Sequence, residues 1–370
     1  MIRVAINGYG RIGRVAHRVI LQKHFSEIDV VAINAGSSTD IKGWLYLLKY
    51  DTSYGPLLNH EIKSEIRNPK SEINPNIQNS PLRQGFAGQA NVQNRDDYIG
   101  SLIIDGKEIP VFSQKDPSLL PWRDLQVDVV IESSGHFLTE EKLKTHLTAG
   151  AKKVILSAPH REGNVGTFIL SVNDKNYKGE NLINNASCTT NCITPVARIM
   201  VDHFGVEKAM MTTIHGYTSD QKLQDGGHRD YRRARAASEN IVPTSTGATI
   251  AASEAVPELK GVFNGLAIRV PVAVGSLSDF TFLLKKPTTK EEVQEIFKKE
   301  AQNPIYNGIL EVTEDPIVSS DIIGNSHSAI VDLSLTQVVG GNMVKVIAWY
   351  DNEFGYANRL VEEVLMVGGK

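Results

Sequence analysis

Cysteine is scarce in this sequence: there are two in 370 residues, Cys188 and Cys192, only four positions apart. Two thiols this close exclude a spaced disulfide framework and a zinc site built on four cysteines, and no metal site is expected. Net charge is nearly absent too, since 39 basic against 42 acidic side chains leave −3. That balance gives no footing for a polyanion, so no nucleic-acid partner is expected. No apolar run reaches the length that spans a bilayer. The opening MIRVAINGYG lacks the basic-then-apolar plan of a secretory leader and the Arg/Ser-rich plan of a transit peptide. A cytoplasmic protein with no membrane partner is the expectation. What is present is an ordinary globular composition, 41% hydrophobic and 22% charged, in a chain longer than a single core usually sustains, so two domains are expected.

The apolar pattern supports that division. Ile2 to Asn7 reads as a short strand, the glycine-rich Gly8 to Gly13 follows it, Arg14 to about Lys23 reads as a helix, and Ile28 to Ile33 is a second buried strand. Apolar runs at Val127 to Ile131 and Val154 to Leu156, separated by a helical Thr139 to Thr148, continue the alternation of a doubly wound α/β sheet. After Cys188 the strands lengthen, at Gly265 to Ala273, Asp279 to Leu284 and Val344 to Tyr350, with a helix at Thr289 to Gln302. These predict an α+β domain on a largely antiparallel sheet. The expected boundaries are 1–187 for a Rossmann-type dinucleotide-binding domain, 188–352 for a catalytic domain, and 353–370 for a C-terminal helix packing back on the first. Within the first domain the character changes from Ser64 to Asp97. Lys63-Ser64-Glu65-Ile66 recurs there as Lys70-Ser71-Glu72-Ile73, but Pro69, Pro75 and Pro81 forbid a continuous helix. The segment at about 64–97 reads as a flexible surface insertion, with a lid or partner-binding arm as the alternative.

Gly8, Gly10 and Gly13 lie between a strand and a helix, where a dinucleotide fingerprint needs a tight turn, close backbone approach to a pyrophosphate, and close helix packing. The helix start offers its N–H groups to phosphates. The fingerprint also calls for a carboxylate at the end of the second strand, to hold the adenosine ribose. Ala35 stands there instead, followed by Gly36, Ser37, Ser38 and Thr39. Without the carboxylate nothing repels a 2′-phosphate, and the hydroxyls supply donors to it. NADP is favoured, or dual use with NAD; the alternative is NAD held through its other contacts.

In Asn185-Ala186-Ser187-Cys188-Thr189-Thr190-Asn191-Cys192, a serine cap opens a potential helix and places the Cys188 sulfur near a positive dipole end. That position should lower the thiol pKa toward a reactive thiolate. Pro195 requires the helix either to kink or to begin later. Residue type alone leaves Cys188 open between a nucleophile and a small buried hydrophobe. Ala186 to Cys192 resembles the active-site signature of glyceraldehyde-3-phosphate dehydrogenases, and the resemblance runs through nearly the whole chain outside the insertion. It includes Ala5-Ile6-Asn7-Gly8, Leu48-Lys49-Tyr50-Asp51-Thr52, Thr212-Thr213-Ile214-His215, Arg232-Arg233-Ala234-Arg235, Thr246-Gly247-Ala248, Ile268-Arg269-Val270-Pro271 and Trp349-Tyr350-Asp351-Asn352-Glu353.

The resemblance implies that Cys188 attacks an aldehyde with His215 as its base, that hydride passes to the nicotinamide, and that phosphate releases the thioester as an acyl phosphate. The substrates are then glyceraldehyde 3-phosphate and inorganic phosphate, and the reaction is reversible. It assigns Thr218 and Arg269 to the substrate phosphate. Ser187, Thr189, Arg233, Thr246 and Gly247 serve the attacking phosphate or bridge both. Arg11 and Ile12 fall at the adenosine diphosphate, Ser157 and Asn352 near the nicotinamide with Tyr356 beside it, and Lys115, commonly Arg in the family, at the adenine half. Gly226 and Gly227 replace a Leu-Pro that in NAD-using relatives crowds the ribose of a neighbouring subunit. Their smallness adds to the case for NADP and implies a homotetramer. The competing readings are an erythrose-4-phosphate dehydrogenase, which tends to lose the Thr246-Gly247 motif kept here, and a non-catalytic binding protein on the same fold.

Overall fold

The computed structural model describes residues 1–66 and 92–369. The chain forms two compact units: one from residues 1–166, 179–184 and 361–370, the other from 167–178 and 185–360. Each has its own sheet.

In the first unit Ile2–Asn7 is the central strand, with Val4, Ala5 and Ile6 fully buried. It pairs in parallel with Ile28–Asn34 on one side and Val129–Glu132 on the other. The sheet continues past Val129–Glu132 to Lys153–Leu156 and Leu182–Asn184, both parallel. On the opposite flank Lys107–Phe112 lies parallel to Ile28–Asn34, then Tyr98–Ile104 and Ile62–Ile66 close the edge antiparallel. Chain order therefore reverses at the central strand, which opens a crevice at its carboxyl end. A doubly wound sheet was the expectation, and this is one.

Polar side chains at those carboxyl ends hold the strands in register. The Asn34 amide donates to Asn7 Oδ1 (2.7 Å), Asn7 donates to Glu132, and the Ser134 N–H donates to Glu132 Oε1 (2.8 Å). Trp122 Nε1–H donates to His146 Nδ1 (3.0 Å), so His146 carries its proton on Nε2 and gives it to Glu132 (3.0 Å). Glu132 and His146 are fully buried, and these donors make burial of the carboxylate tolerable.

Arg11–Lys23 is helical, starting three residues earlier than its apolar pattern predicted; Gly10 is its cap and contributes no side-chain acceptor. Thr139 caps Glu140–Thr148 and Asp40 caps Ile41–Lys49. The expected insertion begins later than Ser64, because Ser64 to Ile66 complete the edge strand. Residues 67–91, and with them the second Lys-Ser-Glu-Ile copy, lie outside the described residues.

The second unit carries a mixed, largely antiparallel sheet. Its strands run in the order Val242–Ser245, Phe263–Val270, Val206–Gly216, Ser276–Leu284, Met343–Tyr350, Ala329–Asp332 and Leu310–Thr313. Alternate residues of Ser276–Leu284 are buried, and Phe280 stacks on Phe282 at 5.4 Å and on Phe263 at 6.5 Å. Helix Cys188–Phe204 packs on this sheet. It begins at Cys188 and runs through Pro195, so the later start is excluded. The missing donor costs about 3 kcal/mol in a helix interior. Ile193, Val196, Ala197 and Met200, all fully buried, offset it by packing. The last helix, Phe354–Gly368, spans the division at residue 361, and its Gly368 sits against Ile2 in the first unit.

Gly8 has φ +92°, and a Cβ there would fall 2.4 Å from the Ser134 backbone nitrogen. Gly8→Ala should therefore lower unfolding free energy by more than about 2 kcal/mol, from backbone strain plus overpacking. Urea denaturation measures it, and an unchanged midpoint would contradict the argument.

Candidate active site

Three local devices hold Cys188 at the first position of its helix. Ser187 is extended and its Oγ accepts from the Thr190 N–H at 3.0 Å, capping the helix. Ala186, just before it, has φ +48°, a left-handed backbone that an alanine adopts only when its surroundings impose it. Tyr356 Oη donates to the Ala186 carbonyl at 3.1 Å, and the Asn191 amide reaches back to the carbonyls of Asn185 (2.8 Å) and Ser187 (3.1 Å). Tyr356, expected beside the nicotinamide, thus spends its hydroxyl on the loop that presents the thiol.

His215 ends the strand Val206–Gly216, and its register partner on the neighbouring parallel strand is Arg269. Register alone brings the two side chains together. Cys188 Sγ lies 3.4 Å from His215 Nε2, while on the far side of the ring Arg269 Nη1 lies 2.8 Å from Nδ1. Beneath them Thr189 Oγ1 meets Tyr350 Oη at 3.0 Å, Tyr350 meets Thr213 Oγ1 at 2.8 Å, and Thr213 donates to the Leu277 carbonyl at 3.2 Å. The Tyr350 ring packs edge-on to His215 with centroids 6.0 Å apart. Tyr350 and Thr213 were quoted in the sequence as part of a resemblance but given no role. Thr189 was expected at a phosphate, yet its hydroxyl points into this buried chain.

The electrostatics depart from the sequence expectation. Burial pushes the Cys188 thiol up from its ordinary value, and the Arg269 guanidinium and hydrogen bonds from Thr189 only partly oppose it. Burial likewise pushes His215 down to about 3, with Arg269 adding to the effect. The resting pair is a neutral thiol beside a neutral imidazole, not the lowered thiol read from the helix dipole. Desolvation of a half-buried sulfur outweighs a partial charge at one helix end. Cys192, one turn on, is fully buried among core side chains.

Several of the expected anion-binding side chains flank this cluster. Arg233 donates to Asp220 Oδ2 (2.6 Å), Thr244 Oγ1 (2.9 Å) and the Ser245 carbonyl (3.4 Å). Although burial opposes it, hydrogen bonds from Arg233 and His228 hold the Asp220 carboxyl below its usual range. Asp220 was not singled out in the sequence; it faces Arg233 from two residues beyond Thr218. Thr246 Oγ1 accepts from the Ala248 N–H at 3.2 Å, so Thr246 and Gly247 form the N-terminus of helix Ala248–Ala255. A Cβ on Gly247 would meet nothing within 4 Å. Asn352 Oδ1 accepts from Gly275 N–H (3.1 Å) and Ser276 Oγ (2.8 Å), which turns its amide nitrogen the other way.

In the first unit a pocket of about 470 Å³ opens at the crevice. Gly8, Tyr9 and Gly10 line one side; Ala35, Gly36, Ser37, Gln114 and Lys115 line another. Its glycines fit a dinucleotide. A Cβ on Gly10 would stand in open space that the backbone leaves for a ligand, whereas one on Gly13 would fall 2.3 Å from the Gly8 carbonyl. Arg11 commits its guanidinium to Asp51 at 2.5 Å, so what Arg11 and Ile12 offer a phosphate is their backbone at the helix start. Ser157 follows the strand Lys153–Leu156, its N–H bonded to the Glu132 carbonyl at 2.9 Å. Trp44, unforeseen, also lines the pocket and bonds Ser38 Oγ through its indole at 3.0 Å, which leaves Ser37 as the lining hydroxyl on that loop.

Two family models match the chain. One described as the glyceraldehyde 3-phosphate dehydrogenase NAD binding domain covers residues 2–79 and 83–140, and one described as its C-terminal domain covers 187–352. Among curated relatives, glyceraldehyde-3-phosphate dehydrogenase 2 of Streptomyces avermitilis is 42% identical over 371 residues, covering 100% of this chain and 99% of its own. The glyceraldehyde-3-phosphate dehydrogenase of Mycobacterium avium is 44% identical over 371 residues, covering 99% and 98%. That of Borreliella burgdorferi is 44% identical over 368 residues, covering 98% of each. Among the described residues no helix is long and apolar enough to cross a membrane.

Two pH effects follow from the neutral pair. With the thiol raised, alkylation of Cys188 by iodoacetamide should climb about tenfold per pH unit across neutral pH and show no plateau below pH 8.5. For His215 the folded value of about 3 lies below the ordinary 6.5. Its contribution to stability is therefore complete above pH 6.5 and is lost as pH falls toward 3. Urea melts of His215→Asn should decline less steeply than wild type over that window. Buried His17, also lowered to about 3, keeps the slope from vanishing.

Proposed function

The chain belongs to the glyceraldehyde-3-phosphate dehydrogenase family, and from that premise we propose that Cys188 and His215 carry out the phosphorylating oxidation of glyceraldehyde 3-phosphate, reversibly, through a thioester. The observation that supports this reading is the 3.4 Å approach of Cys188 Sγ to His215 Nε2, with the Arg269 guanidinium on the other face of the ring. Sγ attacks the aldehyde carbon, and the imidazole passes the thiol proton to the carbonyl oxygen. A nicotinamide dinucleotide, held at Gly8, Gly10 and the helix start at Arg11 to Gly13, supplies the acceptor for the substrate hydride. His215 takes back the hydroxyl proton as the carbonyl re-forms. It returns that proton to sulfur when inorganic phosphate displaces the acyl group. Arg269 and Thr218 bind the substrate phosphate. Ser187, Thr246 and Gly247 receive the attacking phosphate, with Arg233 between the two. The intact Thr246-Gly247 helix start favours this over an erythrose-4-phosphate dehydrogenase.

NADP is the preferred dinucleotide in this proposal. Among the described residues lining the pocket there is no carboxylate, and Ser37 and Lys115 stand on the wall where a 2′-phosphate would be received. Neither Gly226 nor Gly227 takes a positive φ, and a Cβ on either would meet nothing closer than 3.6 Å. Their smallness serves no need of this chain's own fold. It suits a loop that makes room for a bulkier ribose across a subunit boundary in a homotetramer, working in the cytoplasm.

Cys188→Ser should abolish turnover of glyceraldehyde 3-phosphate while leaving dinucleotide binding and the unfolding midpoint within experimental error of wild type. Residual phosphate-dependent turnover would remove Cys188 from the mechanism. For the cofactor, kcat/KM with NADP should exceed that with NAD, and Ala35→Asp should reverse the ratio by tenfold or more. A wild-type preference for NAD would refute the pocket argument.

A further inference from the structure

His215 is asked for incompatible hydrogen bonds. Its Nδ1 lies 2.7 Å from the Gly216 carbonyl, which can only accept, and 2.8 Å from Arg269 Nη1, which can only donate. One ring nitrogen cannot serve both. An arginine is never deprotonated in proteins, so its N–H groups stay donors and the imidazole must yield. Arg269 Nη1 is also 3.1 Å from the Gly216 carbonyl, so one nitrogen with two hydrogens satisfies both acceptors. With Nδ1 accepting, the neutral ring carries its proton on Nε2. Nε2–H then points at Cys188 Sγ and cannot take the thiol proton.

We propose that Arg269 is a positioning residue that holds His215 in the tautomer unfit to act as a base, and that an anion drawing Arg269 away arms it. Once Nη1 leaves, Nδ1 takes a proton from solvent and donates to Gly216, while Nε2 releases its own to solvent. One proton moves from one ring nitrogen to the other and the net charge is unchanged. The Nε2 lone pair then faces Sγ, and the imidazolium formed on proton transfer has both N–H groups directed at acceptors. Two further observations fit. Arg269 Nε is buried without a hydrogen-bond partner, so the guanidinium is not fully satisfied where it rests. The burial that opposes its charge also favours an anionic partner. A phosphate dianion, matching the fork in two parallel hydrogen bonds, is the ligand class that competes best with an imidazole nitrogen.

The second half of this inference rests on Arg269 as the substrate-phosphate ligand; the first half does not. Protein labelled with 15N in histidine side chains separates them, with the His215 signals assigned by their loss in His215→Asn. Anion-free wild type should show bare Nδ1 and protonated Nε2; saturating inorganic phosphate should reverse the pattern. Arg269→Met, which keeps the stem, should show protonated Nδ1 with no phosphate present. Protonated Nδ1 in anion-free wild type, or bare Nδ1 in Arg269→Met, overturns the proposal whether or not phosphate binds at Arg269. If calorimetry finds phosphate binding equally tight in both proteins, the phosphate reading of Arg269 fails while the anion-free comparison still decides the tautomer. A tautomer that phosphate leaves unchanged in wild type, when Arg269→Met has lost phosphate binding, also overturns the proposal.

Discussion

The second unit is organised around keeping a thiol and an imidazole within a proton's reach while neither is charged. The sulfur comes from the first turn of Cys188–Phe204 and the nitrogen from the end of Val206–Gly216, and both elements are built to hold those ends still. A left-handed Ala186 costs about 1–3 kcal/mol, and it persists because Tyr356 and the Asn191 amide bond the carbonyls around it. Pro195 costs a helical hydrogen bond and is tolerated because the same helix buries its opposite face against the sheet. Even the hydroxyls beneath the site, from Thr189 through Tyr350 and Thr213 to the Leu277 carbonyl, form a chain in which each has somewhere to donate. Buried polar groups linked in this way stiffen what they support.

Much of this was legible in the sequence where the signal is local. A strand, a glycine turn and a helix have short-range patterns, and Ile2–Asn7 appears in the structure with the bounds its apolar run gave. Ser187 as a cap followed from its type and place. What was not legible depends on pairing between distant strands. That Arg269 stands beside His215 follows from a parallel register 54 residues apart in sequence, and no periodicity encodes register across that separation. Asp220 and Trp44 were missed for the same reason, since each matters only through what it faces. The thiol pKa was misjudged because a sequence shows the helix dipole but not the depth of burial, and burial is the larger influence. The early residues of the insertion were misread because a hydrophilic edge strand resembles a loop.

The first unit shows how polar residues inside a sheet define a binding crevice. Glu132 collects donors from Asn7, Ser134 and His146, and Asn34 extends the set by bonding Asn7. Three strand ends are thereby tied at one level. Gly8 follows one of them with a backbone that no side chain could share. A carboxylate so fully bonded contributes less repulsion to a phosphate than a free one, which reconciles a buried charge with a neighbouring anion pocket. The loop from Ala35 to Ser37, by contrast, is not tied into this set, and it is there that the chain departs from the acidic fingerprint.

A neutral resting pair has a chemical consequence that a permanent thiolate would not. Thiolates, not thiols, enter the oxidation ladder and attack stray electrophiles. A sulfur whose proton is retained by burial, beside a base whose accepting nitrogen is occupied, is protected from both until charge enters the site. The cationic side chains nearby, Arg269 and Arg233, raise no thiolate at rest because one is turned to the imidazole and the other to Asp220. An anionic substrate alters that balance by taking a guanidinium for itself. Reactivity is then tied to the ligand that is to be transformed, and the binding energy of its phosphate is used where the sulfur attacks and not only where the phosphate sits.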